Sequence, residues 1–147
     1  MKTLAAVDPE LAHSVRVAVM RLSRKLRNRG GAASLTVSQA SALATLDRRG
    51  PLTPGALAEL EMVQPPSMTR LLSVLEERGL VVAAPHPQDG RQKLVRVTPV
   101  AHRMLDADRA ERRTWLMQRM ASLTDRELAT LRAAAPILEK LTQEGGA

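Results

Sequence analysis

The sequence predicts a mainly α-helical chain with one small β-hairpin, and three observations carry that prediction. Three capping side chains are followed directly by Pro at a first helical position: Asp8-Pro9, Thr53-Pro54 and Thr98-Pro99. Two further starts carry capping boxes, Thr36 with Gln39 and Thr124 with Glu127, in which each end satisfies a backbone donor. Thirdly, the core has to be built almost without aromatics, since there is no Phe, no Tyr and one Trp, Trp115. Leu, Ala, Val and Met pack best between helices.

The first helix opens at Asp8-Pro9, shows one apolar stripe at Leu11, Val15, Val19, Leu22 and Leu26, and stops before Gly30-Gly31. A second runs from about Val37 to Arg48 and ends at Gly50-Pro51, and a short third covers Pro54 to Leu60. The fourth begins near Pro65 and carries Met68, Leu71, Leu72 and Leu75 at i, i+3, i+4 and i+7. It ends at Arg78-Gly79, where glycine supplies a left-handed cap. Val81 to His86 and Gln92 to Thr98 read as two short strands about Asp89-Gly90, a favoured hairpin dipeptide. After Thr98 a long helix is expected to about Ser122, with a polar middle from Asp106 to Thr114 that suits a bridge between two packed regions through solvent. The last helix covers Asp125 to Gln143, with Leu128, Leu131, Leu138 and Leu141 as its apolar side; Pro136 inside it should kink or split it.

Composition narrows the function classes. A chain of 147 residues is about one domain, and 44% hydrophobic with 25% charged residues is ordinary for a globular protein. No apolar run nears the roughly 20 residues of a spanning helix, and Met1 to Pro9 has no apolar signal segment, so a cytoplasmic protein without membrane contact is expected. The lack of Cys excludes disulfides, thiolate chemistry and cysteine-ligated zinc. Missing aromatic platforms argue against a single-strand nucleic-acid binder. His13, His86 and His102 stand apart from one another with no carboxylate at metal-ligand spacing. Neither a glycine-rich phosphate loop nor a nucleophile elbow is present, so no catalytic site, metal or cofactor is expected. The net charge of +7 lies mainly in two places: six basic against two acidic residues over Asp8 to Arg29, and four against one over Val81 to Met104. A positive segment beside a neutral body is the footprint of a polyanion binder.

Helix, helix, short helix, helix, hairpin is the order of a winged helix-turn-helix. Pro54 to Leu60 is its first helix, Glu61 to Gln64 the turn and Pro65 to Arg78 the recognition helix. With Met68 at the centre of the buried face, Pro66, Arg70, Ser73 and Glu77 fall opposite at about 100° per residue, and Ser67 and Thr69 lie on the flanks. Such a face suits a major groove, because Arg reads guanine bidentately while Ser and Thr hydroxyls reach bases or phosphates. Gln64 and the amides behind Pro65 and Pro66 stand where a helix N-terminus attracts phosphate. In HPQDGRQKLVRVT the loop presents Asp89 and Arg91, with Lys93 and Arg96 on the strand beyond. An Arg on a narrow tip can enter the minor groove, with Asp89 holding its guanidinium. Double-stranded DNA is the expected partner; a winged-helix module that binds an acidic protein is the alternative.

Leu52 to Thr98, LTPGALAELEMVQPPSMTRLLSVLEERGLVVAAPHPQDGRQKLVRVT, resembles the DNA-binding lobe of the MarR (multiple antibiotic resistance regulator) family of bacterial repressors. The D-x-R wing at Asp89 and Arg91, the Thr69-Arg70 pair and LEERGLV leading into the first strand carry the likeness, and the helix order extends it over nearly the whole chain. The resemblance implies a homodimer whose first and last helices intertwine, bound to a palindromic operator and released by a small ligand. It assigns helix contacts to Pro65, Pro66, Ser67, Thr69 and Arg70, the wing contact to Arg91 and its orientation to Asp89. Ser73 and Lys93 join them from the exposed helix face and the wing strand. Three regions follow: a dimerisation helix over 1–35, the winged lobe over 36–98, and linker and dimerisation helices over 99–147. Family members that sense oxidants use cysteine, which this chain lacks. Others bind aromatic acids beside the dimer helices; Trp115 is the only aromatic wall here and is expected in the dimer core, so no ligand residues are assigned.

Overall fold

The helix starts that the sequence marks are capped as expected. In the computed structural model, which describes residues 7–29 and 34–143, the Asp8 carboxylate accepts from the Glu10 amide at 3.0 Å and opens α1, Pro9–Arg27. Both halves of the Thr36–Gln39 box are formed at the start of α2, Val37–Arg49. Thr53 accepts from the Ala56 amide at 3.2 Å and opens α3, Pro54–Leu60. After α4, Pro65–Glu77, come strands β1, Val81–Pro85, and β2, Lys93–Val97. Thr98 accepts from the Ala101 amide at 3.2 Å at the head of α5, Pro99–Met120, and the Thr124–Glu127 box opens α6, Asp125–Thr142. The Gly30-Gly31 stop lies outside the described residues.

The chain forms two compact units, one through Arg112 and one from Arg113. The first holds the core: Leu43 and Leu46 of α2, Leu57 of α3, and Met68 and Leu75 of α4 are each 1% exposed or less. Val81, Val95, Ala101 and Leu105 close it from the hairpin and α5. Aliphatic packing between helices is what a chain with so few aromatics has available.

α3 and α4 end in the same way. Met62 donates to the Glu59 carbonyl and Val63 to that of Ala58; Gly79 donates to Glu76 and Leu80 to Leu75. Both pairs are Schellman motifs, which require a left-handed residue between helix and exit. Gly79 provides it at φ 69° and Met62, without glycine's freedom, at φ 52°. The Thr45 hydroxyl donates to Glu61 at 2.6 Å and so ties α2 to the turn after α3.

β1 and β2 pair antiparallel, Val81 opposite Val97 through Pro85 opposite Lys93. β1 starts at Val81 as expected and the other three ends fall one residue inside the expected strands, and the connection is not a two-residue turn. Gly90 lies outside the left-handed region that such a turn needs, while Gln92 donates to the Asp89 carbonyl at 3.0 Å, so Asp89 opens a tighter turn within a longer loop. A further pairing has no counterpart in the sequence pattern: Leu52, between α2 and α3, exchanges backbone hydrogen bonds with Val95 at 3.0 and 2.8 Å.

The polar middle of α5 is solvated over most of its length, as expected, but it holds a buried charge and a link to α2. Asp108 is 2% exposed and pairs with Arg112 at 3.6 Å. Asp47 of α2, with only 5% of its side chain exposed, receives Arg109 at 2.6 Å and His102 Nδ1 at 2.6 Å; the other ring nitrogen faces Asp106 at 3.3 Å. Burial alone would push the Asp47 carboxyl up, but the hydrogen bonds and charges of His102 and Arg109 outweigh it and hold it below the usual carboxylate range. The hydrogen bond to Asp47, then the charges of Asp106 and Asp47, raise the His102 imidazole above 6.5. A raised imidazole stabilises the fold fully below its unfolded value and loses that contribution as pH rises through the folded one. The thermal midpoint should therefore fall as pH rises above about 6.5, and His102→Gln should flatten that fall. Scanning calorimetry from below to above neutral pH checks it; an unchanged slope in the variant would refute the assignment.

α6 continues across Pro136 and is not split. The missing amide leaves the Arg132 carbonyl without its helical donor, and both residues are exposed, so water can serve it. Among the described residues neither α1 nor α6 buries a side chain. Leu11, Val19 and Leu22 of α1, and Leu131, Ile137, Leu138 and Leu141 of α6, are exposed apolar groups. Trp115 is half-buried, with the Arg119 guanidinium 5.5 Å from its ring.

Candidate nucleic-acid interface

Recognition by α4 depends on which side chains the core takes. Met68, Leu72 and Leu75 face inward, which turns Pro65, Pro66, Ser67, Thr69, Arg70 and Ser73 outward, all exposed. The helical wheel drawn about Met68 is thus the observed one. At the helix start Pro65 and Pro66 have no N–H, and the Met68 amide is engaged by the Gln64 carbonyl at 3.0 Å. Ser67 alone offers a backbone donor there, a narrower anion site than the several amides expected.

The wing's cations divide by strand alternation. Lys93 shares a face with buried Val95 and turns toward α4, while Arg96 lies on the other face. Thr69, Ser73 and Lys93 meet around a shallow cleft of about 150 Å³ floored by Leu72, Val81, Ala83 and Val95. Arg91 stands exposed at the hairpin tip. Among the described residues Arg70, Arg91 and Lys93 have no ion-pair partner, the pairs lying on α5 and Asp47.

Asp89 acts differently from the expected salt bridge. Its carboxylate accepts from the Arg91 backbone amide at 3.1 Å, an Asx turn that fixes the loop and leaves the guanidinium free. The signal was present in the D-G dipeptide, because Asp favours the first position of such a turn. The Leu52–Val95 pairing behind the wing left no signal, since one residue pair makes no run. His86 Nδ1 accepts from the Gln88 amide at 3.1 Å and steadies the loop's near side.

A helix, a Schellman turn, an exposed polar helix and a cationic hairpin held on one core define a winged-helix DNA-binding protein. The family model described as MarR family matches residues 35–93. An HTH-type transcriptional regulator of Mycobacterium tuberculosis is 47% identical over 93% of this chain and 96% of its own length. A crystal structure of a putative transcriptional regulator from Pseudomonas aeruginosa is 35% identical, with a TM-score of 0.82, over 92% of this chain and 96% of that one. A Staphylococcus aureus MepR mutant, solved bound to an oligodeoxyribonucleotide, shares the fold at 18% identity and a TM-score of 0.70, over 90% of this chain and 98% of that one. The chain belongs to the MarR family; it is a transcriptional regulator with a DNA-binding winged helix and not an enzyme. No helix among the described residues is long and apolar enough to cross a membrane.

Proposed function

We propose that the chain works in the cytoplasm as a homodimeric repressor that seats on a palindromic duplex operator and is released by a small ligand. The observation that carries the DNA reading is the unpaired state of Arg70, Arg91 and Lys93 on one lobe, two of them on a wing and one on an outward helix face. Cations kept free of carboxylates are available to phosphates and base edges. The oligonucleotide bound to the MepR mutant of the same fold supports this reading. Arg70, with Pro65, Pro66, Ser67, Thr69 and Ser73, faces the major groove, and Arg91, its loop set by Asp89, the minor groove.

Dimerisation is supported by α1 and α6, which carry leucines yet bury none of them within one chain. Apolar stripes of that length are covered in a stable protein, and a second copy is the simplest cover. The ligand part rests on the cleft beside α4, where a bound molecule would stand against Thr69, Ser73 and Lys93 and compete with DNA. Two-fold related recognition helices should meet successive major grooves, so footprinting should show half-sites about 10 to 11 base pairs apart. Protection of a single unpaired half-site would overturn the dimeric reading.

A further inference from the structure

Resting on the reading of α4 as the groove-facing helix, we propose that Thr69 and Ser73 act as hydrogen-bond acceptors for base amino groups, the N6 of adenine or the N4 of cytosine. A hydroxyl owns one proton and two lone pairs. In α4 both protons are committed backward: Thr69 Oγ1 donates to the Pro65 carbonyl and Ser73 Oγ to the Thr69 carbonyl, each at 3.1 Å. Both side chains are exposed, one turn apart, beside Arg70. Each oxygen therefore offers lone pairs outward.

Phosphates are acceptors only, so a hydroxyl held this way is a poor backbone clamp and a suitable base reader. In the major groove only adenine and cytosine donate; guanine presents two acceptors, and thymine an acceptor and a methyl group. Arg70 is the complement, a donor without acceptor capacity. Ser67 makes no backward bond among the described residues and carries no such preference. The face thus reads a half-site in two chemical senses, with guanine opposite Arg70 and amino-bearing bases opposite Thr69 and Ser73.

The test presents the full chain with a random duplex pool and reads the enriched operator. Binding is then measured on duplexes in which single adenines are replaced by purine or single cytosines by pyrimidin-2-one, each lacking only the exocyclic amino group. Losing the right amino group should weaken the parent by about three- to tenfold, the net worth of one neutral hydrogen bond. The same deletion should cost Thr69→Val, or Ser73→Ala at its own position, nothing further, while Thr69→Ser keeps the dependence. If the variants lose affinity equally on all sequences, or stay as sensitive as the parent to every deletion, the proposal is overturned alone. If the pool enriches no sequence, the operator reading falls and takes the proposal with it.

Discussion

Leu22→Glu should dissociate the proposed homodimer and lower operator affinity by about 100-fold or more, because two linked half-site contacts bind 10²–10⁴ more tightly than one. Leu22 is 44% exposed within its own chain, so the glutamate meets water in the monomer and leaves the core of the winged lobe untouched. In a dimer the same carboxylate would be buried against leucines at a cost that rules the complex out. Sedimentation equilibrium gives the mass and fluorescence anisotropy the affinity, with circular dichroism to show that helicity is retained. A dimeric variant with parental affinity would remove α1 from the interface.

Arg70→Ala and Arg91→Ala should both impair binding strongly and in different ways. Without Arg70 one operator position should lose roughly 1 to 3 kcal/mol of discrimination, so competing bases are accepted there. Without Arg91 affinity should drop on all sequences, with a residual preference for A·T flanks, and the salt slope should flatten by about one contact per subunit. Asp89→Ala should give a milder form of the Arg91 loss, since it releases the loop amide that the carboxylate holds at 3.1 Å and leaves the guanidinium present. Anisotropy titrations at about 150 mM salt, where exposed charges act over only about 8 Å, distinguish these outcomes. Undiminished binding by Arg91→Ala would detach the wing from the DNA and favour a protein partner.

The helix boundaries were legible because capping is local: Asp8, Thr36, Thr53, Thr98 and Thr124 each satisfy an amide two or three residues on. The outward face of α4 was legible for the same reason, since Met68, Leu72 and Leu75 lie on one side of a single helix. Partnerships across the chain were not. The stretch from Asp106 to Thr114 is largely solvated, as it reads, but gives no sign of the buried Asp108 or of Asp47, which lies 55 residues before His102 and 62 before Arg109. Nothing in the local pattern pairs them. Pro136 left a kink and a split as alternatives, because a proline tells only that a donor is lost and not whether the orphaned carbonyl can reach water; the helix is not split.

The wing is fastened behind by the two hydrogen bonds between Leu52 and Val95, and both involve main-chain atoms alone. Any residue except Pro can make them. The hairpin's tilt is consequently indifferent to the identity of its tip, and the segment from His86 to Gln92 is free to be exchanged as a cassette. A foreign tip of equal length grafted there would start from the same strand base, while its own turn residues, as Asp89 does here, would set the shape of the tip. Two scaffold bonds thus make the lobe a chassis, on which the tip of the hairpin can be rewritten without redesigning α4.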